Sequence, residues 1–140
     1  AFAEPRMRNH IPLMIGGSGE KKTFGLAARY FDHLNVIASF AELPGKVDAI
    51  NRRCAEADRD PSTLETSVLL TAVPDPSFTE DKVPPAMRGR MVVGSPEKIA
   101  DAVQTHVVDA GIDGVVVNLP SYRPGSISEV GAALRPVVGR

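Results

Sequence analysis

Apolar residues fall at two spacings along this chain, and the two spacings alternate. Ile11, Leu13, Met14 and Ile15 form a short run that stops at Gly16 and Gly17, which reads as a buried strand ending in a tight turn. Phe24, Ala27, Ala28 and Phe31 then recur at helical spacing, with Ser18 placed to cap the helix. Leu34 to Ile37 is a second run of strand length. After it, Leu43, Val47, Ile50, Cys54 and Ala57 line one side of a helix whose other side carries Lys46, Arg52, Arg53 and Glu56. The turn Asp58-Arg59-Asp60-Pro61-Ser62 closes that helix. Glu65 to Val73 is nearly continuous in β-favouring residues and predicts a strand covered on both faces.

The stretch from Pro74 to Val93 breaks the pattern with Pro74, Pro76, Pro84, Pro85 and Gly89. Its length favours a lid or substrate loop, with a disordered insertion as the plainer reading. Ser95-Pro96-Glu97 then opens another helix, with Ser95 as N-cap and Pro96 at the first helical position; Lys98 stands where a reciprocal capping box needs Glu or Gln. Ile99, Val103, Val107 and Ala110 form its inward stripe and Gly111 ends it. Val115 to Leu119 is the fourth strand. In the last, short helix Ser126 and Glu129 have capping-box spacing, Val130, Ala133 and Leu134 point inward, and Pro136 is expected to stop the pattern.

About four strands alternating with amphipathic helices predict a parallel α/β fold, either an open sheet or half of an eight-stranded barrel. The expected layout is an N-terminal arm or linker over 1–10 and a half-barrel domain over 11–140, with 74–93 an irregular insertion. The start at Ala1 without a methionine is compatible with processing or with a fragment.

Composition narrows the function classes. Hydrophobic residues make up 43% and charged residues 24% of the 140, so the chain reads as a soluble globular protein. With 16 basic and 17 acidic residues the net charge is -1, which predicts binding neither to nucleic acid nor to an anionic membrane. Nothing resembles a membrane span or a signal peptide, so the expected compartment is the cytoplasm. The single cysteine, Cys54, excludes an intrachain disulfide and reads as a buried small hydrophobe.

The candidate chemistry gathers at strand ends. Gly16-Gly17-Ser18, Asn35, Thr71 and Asn118 all fall at or near the ends of successive strands, and so near one mouth of a half-barrel. The glycine turn followed by a helix collects backbone N–H groups suited to a phosphate or another anion; a purely structural turn is the other reading. Lys21 or Lys22 would add charge. Glu20 would repel an anion and is expected to point away, toward the positive end of the helix dipole. The turn is neither a Walker A loop nor a dinucleotide fingerprint. His10, His33 and His106 lack ligand spacing. His106 reads as a boundary packing residue and His33 as the histidine nearer the strand ends. Asp32 either orients a neighbour or simply begins a strand. Arg123 reads as a contact to an acidic group or as a solvated loop residue. No catalytic acid, base or nucleophile stands out.

The ordered set Pro12-Leu13-Met14-Ile15-Gly16-Gly17-Ser18-Gly19-Glu20-Lys21-Lys22-Thr23, Leu26 to Asn35, Arg53 to Ser62, Gly94 to Ile99 and Asp109 to Asp113 resembles the later portion of luciferase-like oxidoreductases, especially the branch using the deazaflavin F420. The resemblance implies a TIM-like barrel of about twice this length, with F420, or FMN in other members, in its C-terminal mouth. It implies that Gly16, Gly17 and Ser18 line the ribityl-phosphate side of the cofactor and that Asn35 occupies the next strand's mouth. Ser95 and Glu97 would mark the helix before the last strand. The implied reaction is hydride transfer between F420 and an organic substrate, or flavin-mediated oxygenation in FMN members. The chain matches strands five to eight, without the region that in the family carries the cis-peptide bulge against the cofactor ring. Three readings follow: an oxidoreductase half completed by a longer chain or a complementary chain, a truncated cofactor- or anion-binding domain, and a structural oligomer of half-barrels.

Overall fold

The structure, a computed structural model, describes residues 9–121 and 123–139. Residues 1–8, most of the expected arm, lie outside the described residues. The elements in order are β1 (Met14–Gly17), α1 (Thr23–Tyr30), β2 (His33–Val36), α2 (Leu43–Glu56), β3 (Glu65–Val73), β4 (Met91–Val93), α3 (Pro96–Val103), β5 (Gly114–Asn118) and α4 (Ser126–Val138). Every strand pairing is parallel, β1 with β2, β2 with β3, and β3 with both β4 and β5. The parallel α/β prediction holds, with five strands among the described residues where the pattern showed about four.

The extra strand is explained by the edges of β3. In a parallel ladder the N–H and C=O of one residue face the same edge, and the next residue faces the other. Glu65 N donates to Asp32 O, and Thr71 N donates to Arg90 O. Both are odd-numbered, so β2 and β4 lie along the same edge of the nine-residue β3, one beyond the other. Thr66 N donates to Asp113 Oδ2, just before β5, on the opposite edge. The through-going sheet is therefore β1-β2-β3-β5. The stretch read as irregular through Val93 ends in β4 because Met91, Val92 and Val93 find that vacant upper edge.

All four helices share one core with one face of this sheet. Phe24 and Ala27 of α1, Leu43 and Ile50 of α2, Ile99 and Val103 of α3, and Val130 and Leu134 of α4 bury against Leu34, Val36, Val68 and Leu70. The opposite face is open: Met14 is 59%, Leu69 37% and Val116 41% exposed. β3 is buried on both faces, as its composition predicts, except at Glu65 and Leu69, so the open face is exposed only in patches. Near the top of that open face Val73, Val83 and Val93 form a small second cluster with Phe78, Met87 and Met91, so the segment from Pro74 to Arg90 folds back over the C-terminal end of the sheet.

Several boundaries differ from the pattern for local reasons. Ile11 and Leu13 precede β1 and are exposed, because Asp32 accepts from Leu13 N and from His10 and holds this segment across the start of β2. Asp32 thereby orients a neighbour, and these two hydrogen bonds hold its carboxyl below the usual range. α1 starts at Thr23, and its N-cap Lys22 makes no side-chain cap, so Ser18 does not cap it. A reciprocal capping box occurs at Ser39 and Glu42, whereas α4 has Gly125 as N-cap at φ 93°. α4 also runs through Pro136 to Val138; a proline there removes one hydrogen bond in the last turn and keeps a helical φ. Ser95 caps α3 as expected, accepting from Lys98 N at 3.3 Å. Cys54 is buried, and burial pushes its thiol up. His106 stacks on Phe40 at 4.8 Å between ring centroids, a packing role.

Candidate functional site

Strand periodicity assigns the open face. Met14 and Gly16 of β1, His33 and Asn35 of β2, Glu65, Ser67, Leu69 and Thr71 of β3, and Gly114, Val116 and Asn118 of β5 share it. Register aligns them in rows: Gly16, Asn35, Ser67 and Gly114 form one, Leu69 and Val116 the next, and Thr71 and Asn118 the one above. Four strand-end positions singled out in the sequence, Gly16, Asn35, Thr71 and Asn118, therefore share one surface.

The row at Asn35 is a polar cluster with open flanks. Asn35 Nδ2 donates to Ser67 Oγ at 2.8 Å, and His33 Nε2 lies 2.7 Å from the same oxygen. On the other side of the ring, His33 Nδ1 is 3.8 Å from Glu65 Oε2. Asn35 is 8% and Ser67 3% exposed, so this network is packed in place. Gly16 and Gly114 flank it without side chains. A Cβ on Gly114 would meet nothing within 4 Å, and one on Gly16 would come no closer than 3.7 Å to Asn35. The sheet backbone is thus approachable on both sides of the amide.

Above Gly16 the chain turns through Gly17 to Lys22. Gly17 O accepts from Ile37 N, and Gly17 packs beneath Thr23, whose Cγ2 lies 3.0 Å from where a Cβ would stand. α2 fixes the turn from outside. Lys46 Nζ donates to Ser18 O at 3.2 Å and to Glu20 Oε1 at 2.9 Å, and Arg53 Nε donates to Glu20 O at 2.9 Å. Those contacts occupy the Ser18 and Glu20 carbonyls and the Glu20 carboxylate from the α2 side, with Ser18 and Gly19 exposed. Glu20 does not simply point away along the helix dipole: it turns back onto Lys46. That hydrogen bond, and then the lysine's charge, holds its carboxyl below the usual range.

The sign of that coupling sets a test. A carboxylate with a lowered pKa adds stability above its unfolded pKa, and that contribution is lost as pH falls through the folded one. In Lys46→Ala the Glu20 carboxyl resonance should titrate at higher pH than in the parent, toward the ordinary glutamate range. Unchanged titration in a carbon-detected NMR series would refute the Lys46 contact.

Of the sequence candidates, the structure brings Gly16 and Asn35 together and puts Gly17 and Ser18 directly above Gly16 in the turn. Lys21 and Lys22 are exposed, while Lys46 and Arg53, which no motif marked, are the cations that hold the turn. Ser67 was also missed. The only signal for it was a polar Glu65-Thr66-Ser67 opening to an otherwise apolar strand. Arg123 is paired with Glu129. No helix among the described residues is long and apolar enough to cross a membrane.

No family model matches the chain. No curated protein matches it either. Solved structures do. An F420-dependent secondary alcohol dehydrogenase, in complex with an F420-acetone adduct, superposes with TM-score 0.79 at 19% identity, over 99% of this chain and 52% of that one. A riboflavin lyase with modified FMN and riboflavin matches with TM-score 0.67 at 16% identity, over 88% of this chain and 42% of that one. The coenzyme F420-dependent tetrahydromethanopterin reductase from Methanopyrus kandleri gives 0.62 at 14% identity, over 91% and 50%. The chain spans about half the length of these proteins. Its fold is that of about half of a luciferase-like barrel, the fold shared by these F420-dependent and FMN-dependent enzymes.

Proposed function

We propose that this chain is the C-terminal half of a luciferase-like oxidoreductase that holds coenzyme F420 on the open face and upper end of its sheet and takes part in hydride exchange with an organic substrate. The observation that carries this reading is the one-sided sheet. Four helices cover one face, while the other presents a built polar row between two glycines and an exposed apolar strip, as the inside of one half of a barrel would.

The residues present fit such a cofactor. The amides of the Gly16-Gly17-Ser18 turn would take phosphate oxygens, with the Glu20 charge already neutralised by Lys46. Asn35 would offer its carboxamide to the polar part of the group, oriented by Ser67 and through it by His33. Gly16 and Gly114 would let a flat ring lie close to the backbone, and Leu69 and Val116 would give it an apolar floor. Once bound, F420 supplies the hydride-exchanging centre; the protein supplies position, orientation and exclusion of water. Residues that act on the substrate itself would come largely from the complementary half, whether in a longer chain, a second chain or a second copy.

A second reading replaces F420 by FMN in a monooxygenase portion. It is supported by similarity to a long-chain alkane monooxygenase, with TM-score 0.58 at 17% identity, and to an EDTA monooxygenase, with 0.64 at 16%. A third keeps the fold as a non-catalytic binding or structural half-barrel.

Calorimetric titration of the chain with F420 and FMN in parallel, with its solution mass measured on the same sample, separates F420 binding, FMN binding and a purely structural role, and F420 turnover with an added complementary half separates catalysis from binding alone. The expected result is saturable binding of F420, weakened at least tenfold in Asn35→Leu. Preferential FMN binding would establish the second reading. No binding of either by a folded particle would reject cofactor binding and leave the structural one.

A further inference from the structure

Among the described residues the sheet has two free edges, and each carries an exposed apolar feature of a different shape. At one end β1 pairs only with β2, and α1 stands over its free edge. α1 crosses from β1 to β2 in the right-handed sense. With Phe24, Ala27 and Ala28 turned to the core, about 3.6 residues per turn puts Leu26 and Tyr30 on the flank away from α2. They lie about one turn apart and are 45% and 67% exposed, a projecting ridge. At the other end β5 pairs only with β3. Between β5 and α4 runs a groove of about 430 Å³ lined by Val117, Leu119, Ile127, Val130, Gly131 and Leu134. Ile127 at its lip is 64% exposed, and a Cβ on Gly131 would meet nothing within 4 Å, so the groove is open to an entering side chain.

The backbone of the two edges matches as well. Leu13 O and Gly17 O accept from His33 N and Ile37 N, so the odd positions of β1 face β2, and the N–H and C=O groups of Met14 and Gly16 face the free edge. Thr66 N points to the β5 side of β3. The register of Val68 with Val115 then turns Gly114, Val116 and Asn118 toward β3, and Val115 and Val117 toward the free edge. A parallel ladder between Val115 and Val117 of one copy and Met14 and Gly16 of another repeats the pairing used inside the sheet. It also keeps both open faces on one side, and it brings α1 of the second copy alongside α4, with Leu26 and Tyr30 against the groove. Two copies of β1-β2-β3-β5 make the eight strands of a closed barrel. The chain spans 52% of the dehydrogenase on which it superposes, so the space left to fill is that of one more chain of this size.

We propose that the complementary half is a second copy of this chain, in a twofold dimer whose axis runs along the barrel and in which the Leu26 and Tyr30 ridge of each copy seats in the β5–α4 groove of the other. Ridge and groove lie at opposite ends of the half-barrel, so neither meets the other within one chain, and a twofold closes both seams at once. Closure removes both sheet edges and covers Met14, Leu69 and Val116. The proposal rests on the half-barrel fold and deepens the reading above by naming its complementary half. It needs no cofactor, so absence of F420 binding leaves it intact.

Sedimentation of the 140-residue chain without cofactor should give twice the chain mass. Tyr30→Asp puts a carboxylate on the ridge, and Gly131→Arg fills the groove with a charged side chain; each should weaken the dimer about tenfold or more. Both positions are exposed on helices, so both variants should melt within a few degrees of the parent. Mixing the two variants separates this twofold from any other dimer. A mixed pair has one seam with the parent ridge and groove, and one in which the new carboxylate meets the new guanidinium. The mixture should therefore regain the dimer that each variant alone has lost. Four results would overturn the proposal: a monomer at about 1 mM, an assembly larger than two copies, a dimer indifferent to both substitutions, or a mixture no more associated than its components. A monomer that still binds F420 would leave the cofactor reading standing and assign the complementary half to a different sequence.

Discussion

Leu69→Asp is expected to leave the unfolding free energy of the isolated chain within about 1 kcal/mol of the parent and to abolish any assembly that covers the open face. Leu69 stands in the middle of that face, beside Val116 in register, and is 37% exposed. Substitution at such a position removes little packing from the chain itself. Once a complementary half closes over the face, the same leucine becomes interior: burying it fully is worth about 1.5–3 kcal/mol, and an unpaired carboxylate in its place adds a cost of several kcal/mol more. Urea unfolding, binding of an apolar dye and sedimentation measure the three consequences. Unchanged stability with reduced dye fluorescence and loss of assembly is the expected set. A drop of 3 kcal/mol or more in the isolated chain would mean that this face is already packed.

Arg59→Ala should produce the larger loss of stability within the chain, about 2–3 kcal/mol, or on the order of 5–10 °C in melting temperature for a domain of this size. One guanidinium joins three elements. Its Nη1 donates to the carbonyls of Ala27, Ala28 and Phe31 at 3.2, 3.3 and 2.7 Å, and its Nη2 and Nε donate to Thr63 O and Oγ1 at 2.7 and 2.9 Å. The Ala28 and Phe31 carbonyls at the end of α1 thereby gain a cationic donor at the negative end of the helix dipole, and Ala27 O, which already accepts from Phe31 N, gains a second. Lysine cannot span both sets with one ammonium, so Arg59→Lys should recover less than half of the loss. Thermal melts of the three proteins decide the point, and an Arg59→Ala variant that melts with the parent would show the network to be incidental.

Arg59 also illustrates what a linear reading reaches. In the sequence it belongs to a turn, Asp58 to Ser62, and nothing about that turn says that its side chain will cap a helix some thirty residues earlier. Ser67 is similar. A serine in a strand is unremarkable until register places Asn35 directly beside it on β2, with His33 two residues before Asn35 within reach of the same hydroxyl. β4 escaped because three residues among prolines and glycines carry no period of their own, and they become a strand only because β3 is longer than β2 and leaves an edge to pair with. Ser126 and Glu129 had the right spacing for a capping box, yet Glu129 went to Arg123, and the box formed at Ser39 and Glu42, where the helical pattern had not begun.

The sequence by itself determined the alternation of strands and helices, the parallel α/β class, the buried stripe of each helix, the Ser95 start of α3, the burial of Cys54 and the gathering of Gly16, Asn35, Thr71 and Asn118 toward one surface. These follow from residue type and spacing, which act over a few residues and are written directly in the chain. Only the tertiary structure decided which face of the sheet stays open, which cations hold the glycine turn and which side chains surround Ser67. Each of these depends on strand register and on which distant segments meet, and local spacing does not encode those contacts.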